Sequence, residues 1–251
     1  MRQPSIFPRH GFTADEIFGP SSLKDALQNL HALLDSKSPE ERIEIARQQL
    51  RSNRPETLLA VIKIARITGS DAAPLVSDLL ALLTCELIVP YTSIRENGVD
   101  NASIAGEAGF AIRQIGAPPD CAALRRLLTN PHRFYVPKTL SRFRVDAGDP
   151  TQYSVMPAAL AADLLPLLGD EAFELASLVI HLIPDSDPDV ARIVWRAITL
   201  LAERARDYPT PAAMPMIEAL RGLRFEFAGP TWVAVRSILG EHTASCGVVA
   251  T

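Results

Sequence analysis

Apolar residues recur at helical spacing along most of the chain, and polar start signals divide them into separate helices. Leucines spaced three or four residues apart define a first helix that ends near Asp35. Ser38-Pro39-Glu40-Glu41 then opens a second helix, which extends to about Ser52. A capping serine, a proline at the first helical position and acids in the first turn are typical of a helix N-terminus. The pattern predicts an all-α fold.

The same pattern predicts further helices and two irregular stretches. A helix begins at Met156, and others cover 57–68, 72–89, 102–115, 120–129, 170–183, 189–206, 212–223 and 232–239. Loops are predicted over 90–100 and 130–154. We predict an irregular arm over 1–20, a single domain over 21–240 and a flexible tail over 241–251. The aromatic residues of the arm pack either on their own domain or on another subunit.

Two stretches of the chain repeat one another. Ile64–Leu80 aligns without a gap with Ile112–Leu128, so that Ile64 meets Ile112 and Ile67 meets Ile115. Each stretch contains the end of one helix, a turn and a second apolar helix. A helical hairpin of this kind carries too wide an apolar surface to bury alone, and stacking of neighbours buries it. Alanines that let neighbouring helices approach closely occur at 105, 108 and 111.

These units resemble HEAT and HEAT-like repeats. Gln114-Ile115-Gly116 through Leu128 matches best, and Arg66-Ile67-Thr68-Gly69 through Leu80 matches next. The resemblance implies an α-α superhelix, interrupted here by the long loop insertion 130–154, and most members of the family bind proteins. It implies no particular chemistry.

The predicted insertion carries a segment in which basic and aromatic residues alternate. Its candidate partner-binding residues are Arg133, Phe134, Tyr135, Lys138, Arg142, Phe143 and Arg144. Such a segment can bind an acidic protein surface, or it can bind the phosphates of a nucleic acid and stack on its bases. It can also simply pack its aromatic rings on the helices while its charges stay in water.

Composition limits the functional classes. The 251 residues include 25 Lys+Arg and 29 Asp+Glu, a net charge of −4, which argues against a general nucleic-acid binder. The three cysteines are far apart in the sequence. Cys85 and Cys121 lie within apolar helical patterns, so buried free thiols in a reducing, cytoplasmic compartment are favoured over a disulfide. No stretch has the length and apolar character of a membrane span or a secretory signal.

No sequence motif indicates a cofactor, a metal site or a catalytic centre. The five histidines lack metal-ligand spacing, and no phosphate-binding glycine loop or nucleophile elbow occurs. HEAT-like di-iron hydroxylases use His-Glu pairs, which this sequence lacks. HEAT-like DNA glycosylases use Trp and Asp, for which Trp195 and Trp232 give thin support. We therefore predict a non-enzymatic scaffold or adaptor that binds a protein. The alternative is a nucleic-acid-processing or other enzyme that uses the segment 131–145.

Overall fold

The computed structural model describes residues 22–93, 98–137, 139–140, 152–185 and 187–223. The predicted arm 1–20, the predicted helix 232–239 and the predicted tail 241–251 lie outside these ranges. Most of the described chain is helical, which confirms the predicted helical class. Its α-helices are α1 (Ser22–Leu34), α2 (Pro39–Gln49), α3 (Pro55–Thr68), α4 (Val76–Ala81), α5 (Ile104–Ile115), α6 (Cys121–Leu128), α7 (Pro157–Ala162), α8 (Glu171–Ser177), α9 (Pro188–Asp207) and α10 (Met214–Gly222).

Short 3-10 helices and strands complete the described chain. The 3-10 helices are Gly69–Leu75, Leu82–Thr84, Leu165–Leu167, Ile180–Leu182 and Pro211–Ala213. The strands are β1 (Ile88–Ser93), β2 (Gly98–Ser103), β3 (Phe134–Pro137), β4 (Thr139–Leu140) and β5 (Gln152–Val155).

Side-chain caps set several helix starts. At α2, Ser38 Oγ accepts a hydrogen bond from the Glu41 amide, and the Glu41 carboxylate accepts one from the Ser38 amide, as the sequence signal predicts. The carboxylate of Asp120 accepts a hydrogen bond from the Ala123 amide in the first turn of α6. Gly116 ends α5 in the left-handed conformation, at φ 75°, which a residue with a Cβ adopts only at a cost.

The prediction of one continuous helix over 72–89 is wrong, although 76–81 is α-helical. The chain instead forms the 3-10 helix Gly69–Leu75, the short helix α4, a second 3-10 turn, and then β1 from Ile88. A run of apolar residues does not by itself separate a buried helix from a buried strand. The helical part ends at Thr84, and the β-branched residues Ile88, Val89 and Thr92 that follow suit a paired strand better than a helix.

Both predicted loops contain strands. β1 pairs antiparallel with β2, with Ile88 opposite Ser103, so the loop predicted over 90–100 is wrong at 90–93 and 98–100, the part of it that the structure describes. The prediction that 130–154 is an irregular loop is wrong where β3 pairs antiparallel with β5 and β4 pairs with β2. Phe134 and Val136 point inward and Tyr135 outward, which is the two-residue alternation of a half-buried strand.

The helices with odd numbers pack side by side in chain order. α1 packs against α3, α3 against α5, α5 against α7, and α7 against α9. In addition, α2 packs against the 3-10 helix Gly69–Leu75, α6 against both α7 and α8, and α8 against α10. Ala105, Ala108 and Ala111 of α5 are completely buried, Ala108 and Ala111 in the main apolar core and Ala105 against residues of β3 and β5.

Candidate functional site

The structure describes three of the seven predicted partner-binding residues. Arg133 lies just before β3, while Phe134 and Tyr135 lie on it. The other four, Lys138, Arg142, Phe143 and Arg144, lie outside the described residues.

Arg133 is held within the fold. Its guanidinium donates a hydrogen bond to the Asp185 carboxylate, with an Nη2 to Oδ2 distance of 2.5 Å, and the two side chains are only 22% and 13% exposed. The hydrogen bond from Arg133 lowers the pKa of Asp185 below its ordinary value. The second oxygen of Asp185 accepts a hydrogen bond from the Asp187 amide, and Asp187 caps α9. Arg133 therefore joins the start of β3 to the start of α9.

The two described aromatic residues have different surroundings. Phe134 is buried in a small apolar cluster with Ala105, Val136 and Val155. Tyr135 is 57% exposed. Of the three described candidates, Tyr135 alone presents most of its side chain to solvent.

Ion pairs on the surface connect neighbouring odd-numbered helices. Arg66 of α3 lies 3.6 Å from the Glu107 carboxylate of α5. Both Arg113 of α5 and Arg196 of α9 contact the carboxylate of Asp163, which follows α7. The exposed ring of Phe110 lies between these pairs, with the guanidinium carbons of Arg66 and Arg113 at 5.2 and 5.6 Å from its centre. This surface has mixed charge, and its arginines are occupied by neighbouring side chains.

Trp195 belongs to the packing of α9. It is half-buried and packs against the main apolar core.

A groove lies between the first three helices and the 3-10 helix that follows them. Its volume is about 590 Å³, within the range typical of ligand sites. The floor consists of buried aliphatic side chains, and Ile43 of α2 and Ile64 of α3 form half-buried walls. Ile67, at the edge, is 79% exposed. We call this feature the N-terminal groove; the buried residues of its floor are Leu30, Leu34, Ala46, Val61, Ala65, Ala72 and Leu75.

Two arginines hold the walls of the N-terminal groove in place. Arg42 donates hydrogen bonds to the carbonyl groups of Lys37 and Asp35, at 3.0 and 3.4 Å, and so stabilises the turn between α1 and α2. Arg47 donates to the Pro74 carbonyl at 3.2 Å and to the Asp78 carboxylate at 3.1 Å, and so ties α2 to the segment after α3. The groove is preformed, which reduces the entropy lost when a ligand binds.

The rim of the N-terminal groove is acidic. Asp35, Glu40 and Asp71 line it and are exposed, and the one guanidinium of the lining belongs to Arg42. None of the three carboxylates forms an ion pair with another residue in the described ranges. His31 also lies on the rim.

The two matched repeat stretches differ at the N-terminal groove. Ile115 is 4% exposed and Ile112 is completely buried. At the matched positions of the earlier stretch, Ile67 is 79% exposed and Ile64 is half-buried. The earlier repeat thus leaves uncovered an apolar surface that the later repeat buries. Sequence reasoning missed the groove, although the alignment of these isoleucines was visible.

Among the residues that the structure describes, no three or more His, Cys, Asp or Glu side chains are grouped so as to hold a metal ion. Cys85 is buried, Cys121 is half-buried, and both are free thiols. Burial raises the pKa of the Cys85 thiol. Within the same ranges, none of the helices combines the length and the apolar character needed to cross a bilayer.

No protein-family model matches the chain, and no curated protein matches it significantly.

Proposed function

We propose that this protein is a non-enzymatic scaffold that binds a protein partner, built as a HEAT-like α-solenoid. Two observations support the solenoid. The odd-numbered helices pack in chain order, as stacked repeat units do. In both matched stretches the first helix ends at a glycine with positive φ, Gly69 at 67° and Gly116 at 75°.

The single observation that carries the binding function is the uncovered apolar surface of the N-terminal groove. Exposed apolar surface with a polar rim marks interaction sites in soluble proteins. Ile67 leaves 79% of its side chain in water, whereas Ile115, at the matched position, leaves 4%. A partner that covers Ile67 and the walls beside it would remove this apolar surface from water, which contributes about 25 cal/mol per Å² before the free-energy cost of association is subtracted.

The charge of the surface also supports a scaffold over the nucleic-acid-processing alternative. The groove rim is acidic, and the arginines beside Phe110 are paired with Glu107 and Asp163. A nucleic-acid site needs cations that are free to neutralise phosphates. In the basic-aromatic segment, Arg133 is engaged by Asp185.

The free thiols of Cys85 and Cys121 support our proposal of a cytoplasmic location.

Quantitative affinity purification with two matched variants tests the proposal. Ile67→Asp places a charge at the edge of the N-terminal groove, and Leu200→Asp places the same charge on α9, where Leu200 is 47% exposed. Neither residue is in the core, so both variants should fold. We expect one or more proteins recovered with the wild type to be lost with Ile67→Asp and retained with Leu200→Asp. Identical recoveries from all three proteins would contradict the proposed binding site.

A further inference from the structure

We propose that the N-terminal groove takes an amphipathic helix of the partner protein, with lysine or arginine residues beside its apolar face. This inference rests on the proposed function and specifies the partner's chemistry. Three features of the groove lead to it: an aliphatic floor, walls made of helices, and an acidic rim.

The floor and walls favour a helical ligand. They are built from α1, α2, α3 and a 3-10 helix, whose backbone groups are largely satisfied within those elements. An extended peptide lying there would bury its own amide and carbonyl groups against aliphatic side chains, without a strand edge to pair with. A helix satisfies its own backbone, so it can lay side chains at positions i, i+3, i+4 and i+7 on Ile43, Ile64 and Ile67.

The rim favours basic flanks on that helix. Asp35, Glu40 and Asp71 are exposed and form no ion pair within the described residues. The guanidinium of Arg42 is engaged by two backbone carbonyl groups. Three carboxylates against one occupied cation give the rim a negative field, which attracts lysine and arginine and repels phosphate groups and anionic membrane surfaces.

Selection from a displayed library of random 16-residue peptides tests this inference on the full chain. We expect the enriched peptides to share apolar residues at helical spacing with lysine or arginine beside them. A chemically synthesised copy of the most enriched peptide then serves as the probe in fluorescence anisotropy. Its affinity should fall at least about tenfold with Ile67→Asp and stay within about twofold with Leu200→Asp.

Charge neutralisation isolates the role of the rim. A triple variant should weaken binding of that peptide about tenfold at low ionic strength, and the loss should shrink in 0.5 M salt, because surface ion pairs are screened. The triple variant is Asp35→Asn, Glu40→Gln and Asp71→Asn. A matched control removes three carboxylates far from the groove and should bind as the wild type does. The control substitutions are Glu171→Gln, Glu203→Gln and Glu218→Gln.

The outcomes separate this inference from the proposed function. If binding of the natural partners depends on Ile67 but the selected peptides are neutral, acidic or extended, the inference of a basic helix is overturned. The proposal that the N-terminal groove binds a protein is then retained. The inference of a basic helix is also overturned if the triple variant of the rim and the triple control variant bind the peptide equally. If neither the natural partners nor any selected peptide depends on Ile67, the proposed function and this inference both fall.

Discussion

The ion pair between Arg133 and Asp185 should contribute measurably to stability. A hydrogen bond to a charged group contributes about 1.5–3 kcal/mol, and this pair is short, at 2.5 Å, with side chains only 22% and 13% exposed. Because partial exposure weakens the Coulomb attraction, we expect a coupling free energy of about 2 kcal/mol. Each single alanine substitution should lower the midpoint of thermal unfolding by about 5 °C for a chain of this length.

A double-mutant cycle measures this coupling directly. The free energy of unfolding is determined by urea denaturation for the wild type, Arg133→Ala, Asp185→Ala and the double variant. The pair Arg125–Glu174 provides a matched control, because it is also close, at 2.8 Å, but 49% and 63% exposed. Its coupling should stay below about 1 kcal/mol, as is usual for surface ion pairs.

The coupling should also depend on pH. Arg133 lowers the pKa of Asp185 in the folded protein, so the unfolded chain takes up a proton at higher pH than the folded protein does. The stabilisation by the ion pair is therefore complete above pH 3.8, the ordinary pKa of aspartate. It is lost as the pH falls below 3.8 and through the lower pKa that Asp185 has in the folded protein. A coupling no larger than that of the exposed control pair, or one unchanged at pH 3, would refute this account of Arg133.

Glycine substitutions test the helix packing and the turns by thermal unfolding. Gly109→Ala should stabilise the protein by about 0.5–1 kcal/mol, because a Cβ there meets other atoms at ordinary distances, 3.5 Å or more. Gly106→Ala should show no such gain, because its Cβ would lie 2.9 Å from Ser103 Oγ, which caps α5. An equal gain in stability at Gly106 and Gly109 would contradict this. Gly116→Ala should cost about 1 kcal/mol at φ 75°, and an unchanged unfolding midpoint would refute the strain.

Local signals predicted the helices well where side chains cap them or apolar residues are periodic. The capping box at Ser38 is such a signal, and it places the start of α2 correctly. Sequence reasoning missed the strands because the residues that favour a strand were outweighed by neighbouring residues that favour a helix or a loop. Ile88, Val89 and Thr92 favour a strand. The apolar run before them and Pro90 within them pointed to a helix followed by a loop.

The candidate site depends on contacts that local patterns do not encode. Arg133 looked like a free cation because its partner, Asp185, lies 52 residues further along the chain. The N-terminal groove combines residues from α1, α2, α3 and the next turn, and no single segment shows it. The repeat alignment came closest, since it paired Ile67 with Ile115. Only the packing shows that one of these isoleucines is exposed and the other is buried.

Site-specific photo-crosslinking in the cells that make the protein tests the central claim most directly. A photoreactive phenylalanine derivative replaces Ile67 at the N-terminal groove or, as the control, Leu200 on α9. We predict that position 67 forms a covalent adduct with a discrete partner protein and that position 200 does not form the same adduct. No adduct at position 67, or the same adducts from both positions, would contradict the claim that this groove binds a protein.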